Sequence, residues 1–370
     1  MTLLLCGDVM TGRGVDQILP HPGDPRLAEP RVLDARTYVE LAEKANGPIA
    51  RPVAFSYVWG DALAEPGWSG ADVRIVNLET SVSRSDQRWP GKGIHYRMSP
   101  ENLPCLTAAR IDVCALANNH VLDHGYGGLV ETLEVLRRAG VKTAGAGRDL
   151  EEARRPAIVE LSAGGRVIVM SFGTEASGIP SSWAAARGRP GVDLVRRLDD
   201  ETAAEIGERA RRMRRPGDIV VASVHWGTNW GFEVPAEHVR FAHRLIDTGV
   251  DVLHGHSSHH VRPIEAYRGR LILYGCGDFI DDYEGIEGYE DYRNDLVLAY
   301  VAALDPARGE LEALRMRPLQ VRRMRLARAE QRDAEWLADT LNEIGEGNGP
   351  RFDLAGDGTL TLRPAVRQRA

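Results

Sequence analysis

The stretch LLLCGDVMTGR, residues 3–13, decides the fold class. Its four apolar residues, Leu3 to Cys6, halt at Gly7 and Asp8, which predicts a short buried strand that ends in a polar turn. The same pattern recurs at 73–78, 113–117, 167–172, 219–224, 250–253 and 271–274, each run closing on Gly, Asp, Asn or His. Helical patterns lie between several of them, at 128–139 (GLVETLEVLRRA), 200–214 and 236–248. Strands alternating with helices predict an α/β fold around a central sheet. In such folds ligands bind at the carboxyl ends of the strands, which is where the polar residues of this chain gather.

Working outward, the 370 residues are 43% hydrophobic and 27% charged, a globular composition that excludes disordered, collagen-like and coiled-coil chains. Lys and Arg number 46 against 53 Asp and Glu, and the net charge of −7 provides no general pull toward nucleic acid or anionic lipid. Neither nucleic acid nor membrane is therefore expected as a partner. No apolar run nears the ~20 residues of a membrane-spanning helix, and the opening MTLLLCGDVM lacks the basic start and apolar core of a signal peptide. Cys6, Cys105, Cys114 and Cys276 are scattered without a CxxC pair, so reduced thiols and a cytoplasmic setting are expected. Residues 1–304 read as one α/β domain. Its Pro- and Ala-rich insertion at 20–66 forms either a wall of a substrate cleft or plain padding. Residues 305–370 read as a C-terminal extension packed on the core, with the Arg-rich LRMRPLQVRRMRLARA suited to a half-exposed strand, a helix over 333–346 and a Gly-Asp-Gly turn at Asp357.

The chemistry lies in the histidines. Seven of the eleven fall in three segments after candidate strands: His120 and His124 in ANNHVLDHG, His225 in SVHWG, and His254, His256, His259 and His260 in LHGHSSHH. Asp8 follows the first strand and Glu79, in VNLETSV, the second. Imidazole, carboxylate and amide groups repeated at strand ends are the ligand types of a hydrolytic divalent-metal site. A helix cap explains Asp8 alone and a turn explains Asn119 alone, but neither explains the convergence. No GxxxxGK[ST] phosphate loop and no GxSxG elbow is present, which counts against a P-loop ligase and a serine hydrolase.

Together GDVMTGR, NLET, NNHVLDHG, HWG and GHSSHHVRPIEAYRGRLILYGCGDF resemble the CapA family of bacterial poly-γ-glutamate capsule-synthesis proteins over about residues 3–282. That family is similar to the calcineurin-like metallophosphatases. The resemblance implies a four-layer α/β/β/α sandwich around a metal centre. It makes Asp8 the first metal-ligand aspartate and places Glu79 where the phosphatases have a bridging aspartate. It gives Asn119 to the metal and His120 to catalysis, makes His225 a ligand, and matches His256 with His259 to the closing histidine motif. The choice among His254, His256, His259 and His260 stays open. Met10 stands where the phosphatases have a histidine, so one ion is a ligand short and one or two divalent ions per chain are implied, manganese, iron or zinc. Asp123 either fixes the His120 tautomer as its catalytic partner or caps the following helix. His95, Tyr96 and Arg97, in GKGIHYRMSP, either meet an anionic substrate, Arg97 through carboxylate or phosphate, or decorate the surface, and Trp226, Trp230 and Asp278 either line the substrate cleft or, for the two tryptophans, pack in the core. The expected activity is a metal-dependent hydrolysis of a phosphoester or amide-type bond in a small anionic or peptide-like substrate. The alternatives are a non-catalytic component of poly-γ-glutamate synthesis or export, and a tailoring enzyme for a glutamate-like or peptide metabolite.

Overall fold

A computed structural model describes residues 1–345 and 349–363. The strands that position the site are β1 (Thr2–Val9), β2 (Val73–Leu78), β3 (Val113–Ala115), β4 (Lys142–Ala144), β5 (Arg166–Thr174), β6 (Ile219–His225), β7 (Val252–His256), β8 (Arg270–Leu273), β9 (Asp278–Ile280), β10 (Leu296–Asp305) and β11 (Glu310–Val321). The principal helices are α1 (Gly125–Arg138), α2 (Asp200–Met213), α3 (Ala236–Asp247) and α4 (Gln331–Ile344). One sheet runs in the order β11-β10-β1-β2-β3-β4, parallel from β1 to β4 and antiparallel at β10 and β11. The other runs β5-β6-β7-β8, all parallel, and is extended at β8 by the antiparallel strand Ile264–Tyr267.

Side-chain alternation turns these two sheets into four layers. Leu3 and Leu5 of β1 point inward and share one apolar cluster with Val167, Val169 and Val221 of the opposite sheet. Leu4 and Cys6 point outward, against Leu129 and Leu133 of α1. On the other sheet Ile168, Met170 and Phe172 face outward onto Ile206 of α2 and Phe241 and Leu245 of α3. The result is the expected α/β/β/α sandwich, its inner layer filled from both sheets. Helix α2 shows how local sequence sets the outer layer. The Asp199 side chain accepts the Thr202 amide as an N-cap, acidic Asp200 and Glu201 begin the helix, and basic Arg211 and Arg212 end it.

The core strands and helices lie close to their expected places, with shifts at the strand ends that matter: β6 runs on to His225 and β7 to His256, so these histidines and His254 lie inside strands. Strand β1 continues past Cys6 to Val9, so Asp8 sits inside the strand. It does so because β2 and β9 pair in parallel on either side, setting Asp8 opposite both Asn77 and Asp278. The insertion at 20–66 contains a helix, Arg36–Asn46, and buries Tyr38, Val39 and Trp59. The Arg-rich stretch is β11, in which Leu314 and Met316 are buried while Arg315 is exposed. Helix α4 follows, and residue 346, the expected helix end, lies outside the described residues. Gly356, Asp357 and Gly358 turn between the paired strands Phe352–Leu354 and Leu360–Leu362. No helix among the described residues is long and apolar enough to cross a membrane.

Close approach of β1 to the turn before β9 depends on glycine. A Cβ built on Gly7 would lie 1.7 Å from the Gly277 carbonyl oxygen, and the next residue's amide, Asp8 N–H, donates to that same oxygen at 3.0 Å. Gly7→Ala is therefore expected to destabilise the chain by about 3 kcal/mol or more. Gly127→Ala, on α1 with open space around it, is expected to be neutral or stabilising by up to about 1 kcal/mol. Denaturant midpoints check both, and equal effects would contradict the close-packing argument.

Candidate metal centre

The carboxyl ends of both sheets deliver polar side chains to one place. Asp8 comes from β1, Asn77 and Glu79 from the end of β2, Asn119 and His120 from the turn after β3, His225 and His256 from the paired ends of β6 and β7, and Asp278 from β9. The Asn118 side chain closes its turn by accepting the His120 and Val121 amides, while its own amide donates to Leu78 O and Asn77 Oδ1. Asn77 in turn donates to Asp8 Oδ1 at 2.8 Å and Glu79 Oε2 at 3.0 Å. His225 Nδ1 and His256 Nδ1 stand 2.9 Å apart, and His256 Nδ1 lies 3.9 Å from Asp8 Oδ1. His259 Nδ1 lies 2.8 Å from Asp278 Oδ1. Two buried triplets result, Asp8 with His225 and His256, and Asp8 with His259 and Asp278, each with ligand atoms within 4.8 Å of one another. Asp8 belongs to both.

Hydrogen bonding sets which nitrogens are available. The Cys6 carbonyl can only accept, so His254 donates to it from Nε2 at 2.8 Å. His254 Nδ1 then accepts the Ser223 hydroxyl at 3.1 Å, and the same Oγ accepts Nε2–H of His256 at 2.9 Å. This relay leaves the Nδ1 lone pair of His256 facing Asp8 and His225. Asn119 Oδ1, 3.1 Å from His225 Nε2, accepts that N–H and turns the second Nδ1 lone pair the same way.

Electrostatics fit a cation at that point. Burial keeps His225 and His256 neutral, far below the usual imidazole range. Burial, with the Asp278 charge adding to it, pushes Asp8 up to about 7. Glu79 is raised by burial and then by Asp8 and Asp278. Asp278 is raised by burial, and its Oδ2 has no hydrogen-bond partner. Buried carboxylates crowded against each other and against unprotonated imidazoles cost free energy unless a positive charge is shared among them. These donors are those that divalent manganese, iron or zinc accept.

A cavity of about 500 Å³ opens over this cluster, with Glu79, Asn119, His120, His225 and His259 on its floor. Asp123 Oδ2 lies 2.6 Å from His120 Nδ1 and also accepts the Tyr96 amide. Helix α1 has no side-chain cap, so the contact made by Asp123 is with His120. Lys92 joins them, its Nζ 2.9 Å from His120 Nδ1 and bonded to Asp123 Oδ1. Burial pushes His120 down to about 4, with Asp123 opposing the shift and Lys92 adding to it.

Three residues expected at the substrate lie elsewhere. Along the segment 92–97 it is Lys92, Gly93, Ile94 and the expected Tyr96 that line the cavity, and His95 and Arg97 that do not. His95 donates through Nε2 to Trp89 O, and Arg97 is tied to Ser85 O and Asp86. Trp226 follows His225 and so points to the outer layer, where it stacks on His238 at 4.5 Å and donates to Tyr274 O. Of the four clustered histidines, His256 and His259 reach the centre, His254 serves the relay, and His260 stacks on Tyr292. Asp278 goes beyond lining the cleft, because it joins the donor cluster. Sequence reading missed Asn77, Ser223 and Lys92, although Asn77 opens the NLET motif and Ser223 opens SVHWG; Lys92 lies in none of the family motifs.

Ser223→Ala removes the relay that fixes His256, and is expected to weaken manganese binding about 10–100-fold without loss of fold. Calorimetric titration checks this, and unchanged affinity would contradict the relay. Burial, with Arg262 adding, pushes His238 down to about 4. The unfolded chain keeps its histidines near ~6.5, so below that pH the unfolded state binds the extra proton and stability is lost as pH falls. His238→Phe is expected to gain stability relative to the parent between about pH 6.5 and 4. A difference that stays constant across that window would contradict the assignment.

The family model described as bacterial capsule synthesis protein PGA_cap matches residues 2–283. A probable polyglutamine synthesis accessory protein of Mycobacterium tuberculosis is 52% identical over 367 residues, 99% of this chain and 97% of the relative. The PGA biosynthesis protein CapA of Bacillus subtilis is 28% identical over 264 residues, 71% of this chain and 64% of the relative. Among solved structures, a 5'-nucleotidase precursor from Thermus thermophilus superposes with a TM-score of 0.47 at 17% identity, covering 93% of this chain and 59% of that one. On the match over residues 2–283, the chain belongs to the bacterial capsule synthesis protein family PGA_cap.

Proposed function

We propose that this chain is a metal-dependent hydrolase acting on a phosphoester or amide-type bond in a small anionic or peptide-like substrate. The observation that carries the reading is Asp8, a single buried carboxylate common to two triplets of metal-ligand type. Asp8, His225 and His256 would hold one divalent ion, and Asp8, His259 and Asp278, with Glu79 beside them, a second. Manganese, iron and zinc suit these donors, and Asp278 offsets the histidine that Met10 replaces. Such an ion, held by these residues, would lower the pKa of water toward about 7 and polarise the bond under attack.

The chain's own residues do the rest. Asp123 Oδ2, at 2.6 Å, holds the His120 proton on Nδ1, which leaves Nε2 open to the cavity floor, 3.8 Å from Glu79 Oε1. Neutral in the resting site, His120 would take at Nε2 the proton released by the attacking water and return it to the leaving group as the scissile bond breaks. Lys92 balances the Asp123 charge. Four free and buried cysteines support a reducing, cytoplasmic setting, and the net charge of −7 supports a small-molecule partner over nucleic acid or membrane. A second reading, an accessory role in polyglutamate synthesis, is favoured by the names of the relatives. In that reading the same centre serves polymer formation or export, or tailors a glutamate-like metabolite.

Metal analysis of the purified protein is expected to find one or two such ions per chain. Hydrolysis of a generic aryl phosphate is expected to fall at least about 100-fold in Asp8→Asn and in His225→Ala. Full activity in both variants would overturn the hydrolase reading.

A further inference from the structure

The walls of the cavity differ in chemistry from its floor. Large hydrophobic residues that stand open to solvent are few among the described residues: Leu33, Ile94, Ile286 and Tyr289. Three of the four, Ile94 at 45% exposure, Ile286 at 39% and Tyr289 at 40%, lie on this one cavity. Tyr289 stacks on Trp230, ring centroids 3.9 Å apart and planes within 8°, so an aromatic face is already fixed at the mouth. Apolar surface gathered at a concave, polar-floored opening marks a place where an apolar ligand group is buried.

Cations argue in the same direction. Arg13 and Lys92 are the Arg and Lys side chains on the cavity. Arg13 is buried between Asp282 and Glu29, and Lys92 is paired with Asp123. Among the described residues a polyanionic chain of carboxylates would find no unpaired lysine or arginine along this wall, and its charges would be desolvated against Ile94, Ile286 and Tyr289 without compensation. We infer that the cavity takes an amphipathic small molecule, with one anionic head at the metal-type floor and an aromatic or branched apolar body against Trp230, Tyr289, Ile94 and Ile286. The inference rests on the hydrolase reading for the placement of the head, while the body is assigned by the wall alone.

Non-hydrolysable probes separate the two. Calorimetric titration of the full chain with manganese present should show phenylphosphonate binding at least about tenfold tighter than methylphosphonate, the gain given by burial and stacking of one ring. The preference should shrink to less than about threefold in Tyr289→Ala and in Ile286→Ser, two partly exposed positions whose changes leave the floor intact. Equal binding of the two phosphonates, no binding of either, or tighter binding of tri-γ-glutamate than of phenylphosphonate would overturn the inference. A preference for phenylphosphonate in a protein without hydrolytic turnover would uphold the inference and count against the hydrolase reading alone.

Discussion

Mutual repulsion among buried carboxylates is the constraint on which the site depends. Asp8, Glu79 and Asp278 are each nearly or fully buried, and each is raised above its ordinary range by burial and, for the first two, by its neighbours. Unpaired charges so placed are costly, and proteins hold them where a cation or a proton is shared. Asn77 gives each of Asp8 and Glu79 one hydrogen bond, and Ser257 N–H gives Asp8 another, which orients the oxygens but does not neutralise them. The neutral imidazoles of His225 and His256 add lone pairs rather than positive charge.

The sandwich is what makes this concentration achievable. Two sheets with parallel central strands meet face to face, so strand ends from both open at one rim, where the strands fix Asp8, His225, His256 and Asp278 and the adjoining turns carry Asn119, His120 and His259. Adjacent strands place His225 beside His256 and Asp8 beside Asp278 by register alone. Gly7 and the Gly277 turn allow the approach that brings β9 against β1. The inner core fills the space beneath with aliphatic side chains, and the outer helices cover the backs of the sheets. Function in this fold is carried by the rim, and the layers below keep it rigid.

Much of this was legible from residues. The strand endings, the helix at 200–214 and the gathering of Asp8, Glu79 and three histidine segments at strand ends follow from period and punctuation, because short β-branched runs closed by polar turns leave few other assignments, whereas the resemblance to the CapA family is what singles out His120, His225 and His256 with His259. What escaped reading depended on relations across the chain. Asp278 joins the centre through pairing of a three-residue strand with β1, and a strand so short has no periodicity. Strand β10, LVLAYVAALD, carries a plain apolar signal, yet its antiparallel place beside β1 depends on sheet order. His95 and Arg97 lie off the cavity for a local reason, His95 being bonded to Trp89 O and Arg97 held by Ser85 O and Asp86, while Lys92, Gly93, Ile94 and Tyr96 of the same segment line it. Trp226 lies off it likewise, its neighbour His225 having taken the inward side. Motif proximity identifies a region of chain, and only the backbone direction decides which of its side chains arrive.

Anomalous diffraction from crystals grown with manganese is the decisive test of a cation held at Asp8. At least one anomalous peak is expected within coordination distance of Asp8 and flanked by His225 and His256, with any second peak between Asp8 and the pair His259 and Asp278. Diffraction-quality crystals with manganese bound only at other surfaces, and none beside Asp8, would contradict a shared-cation centre.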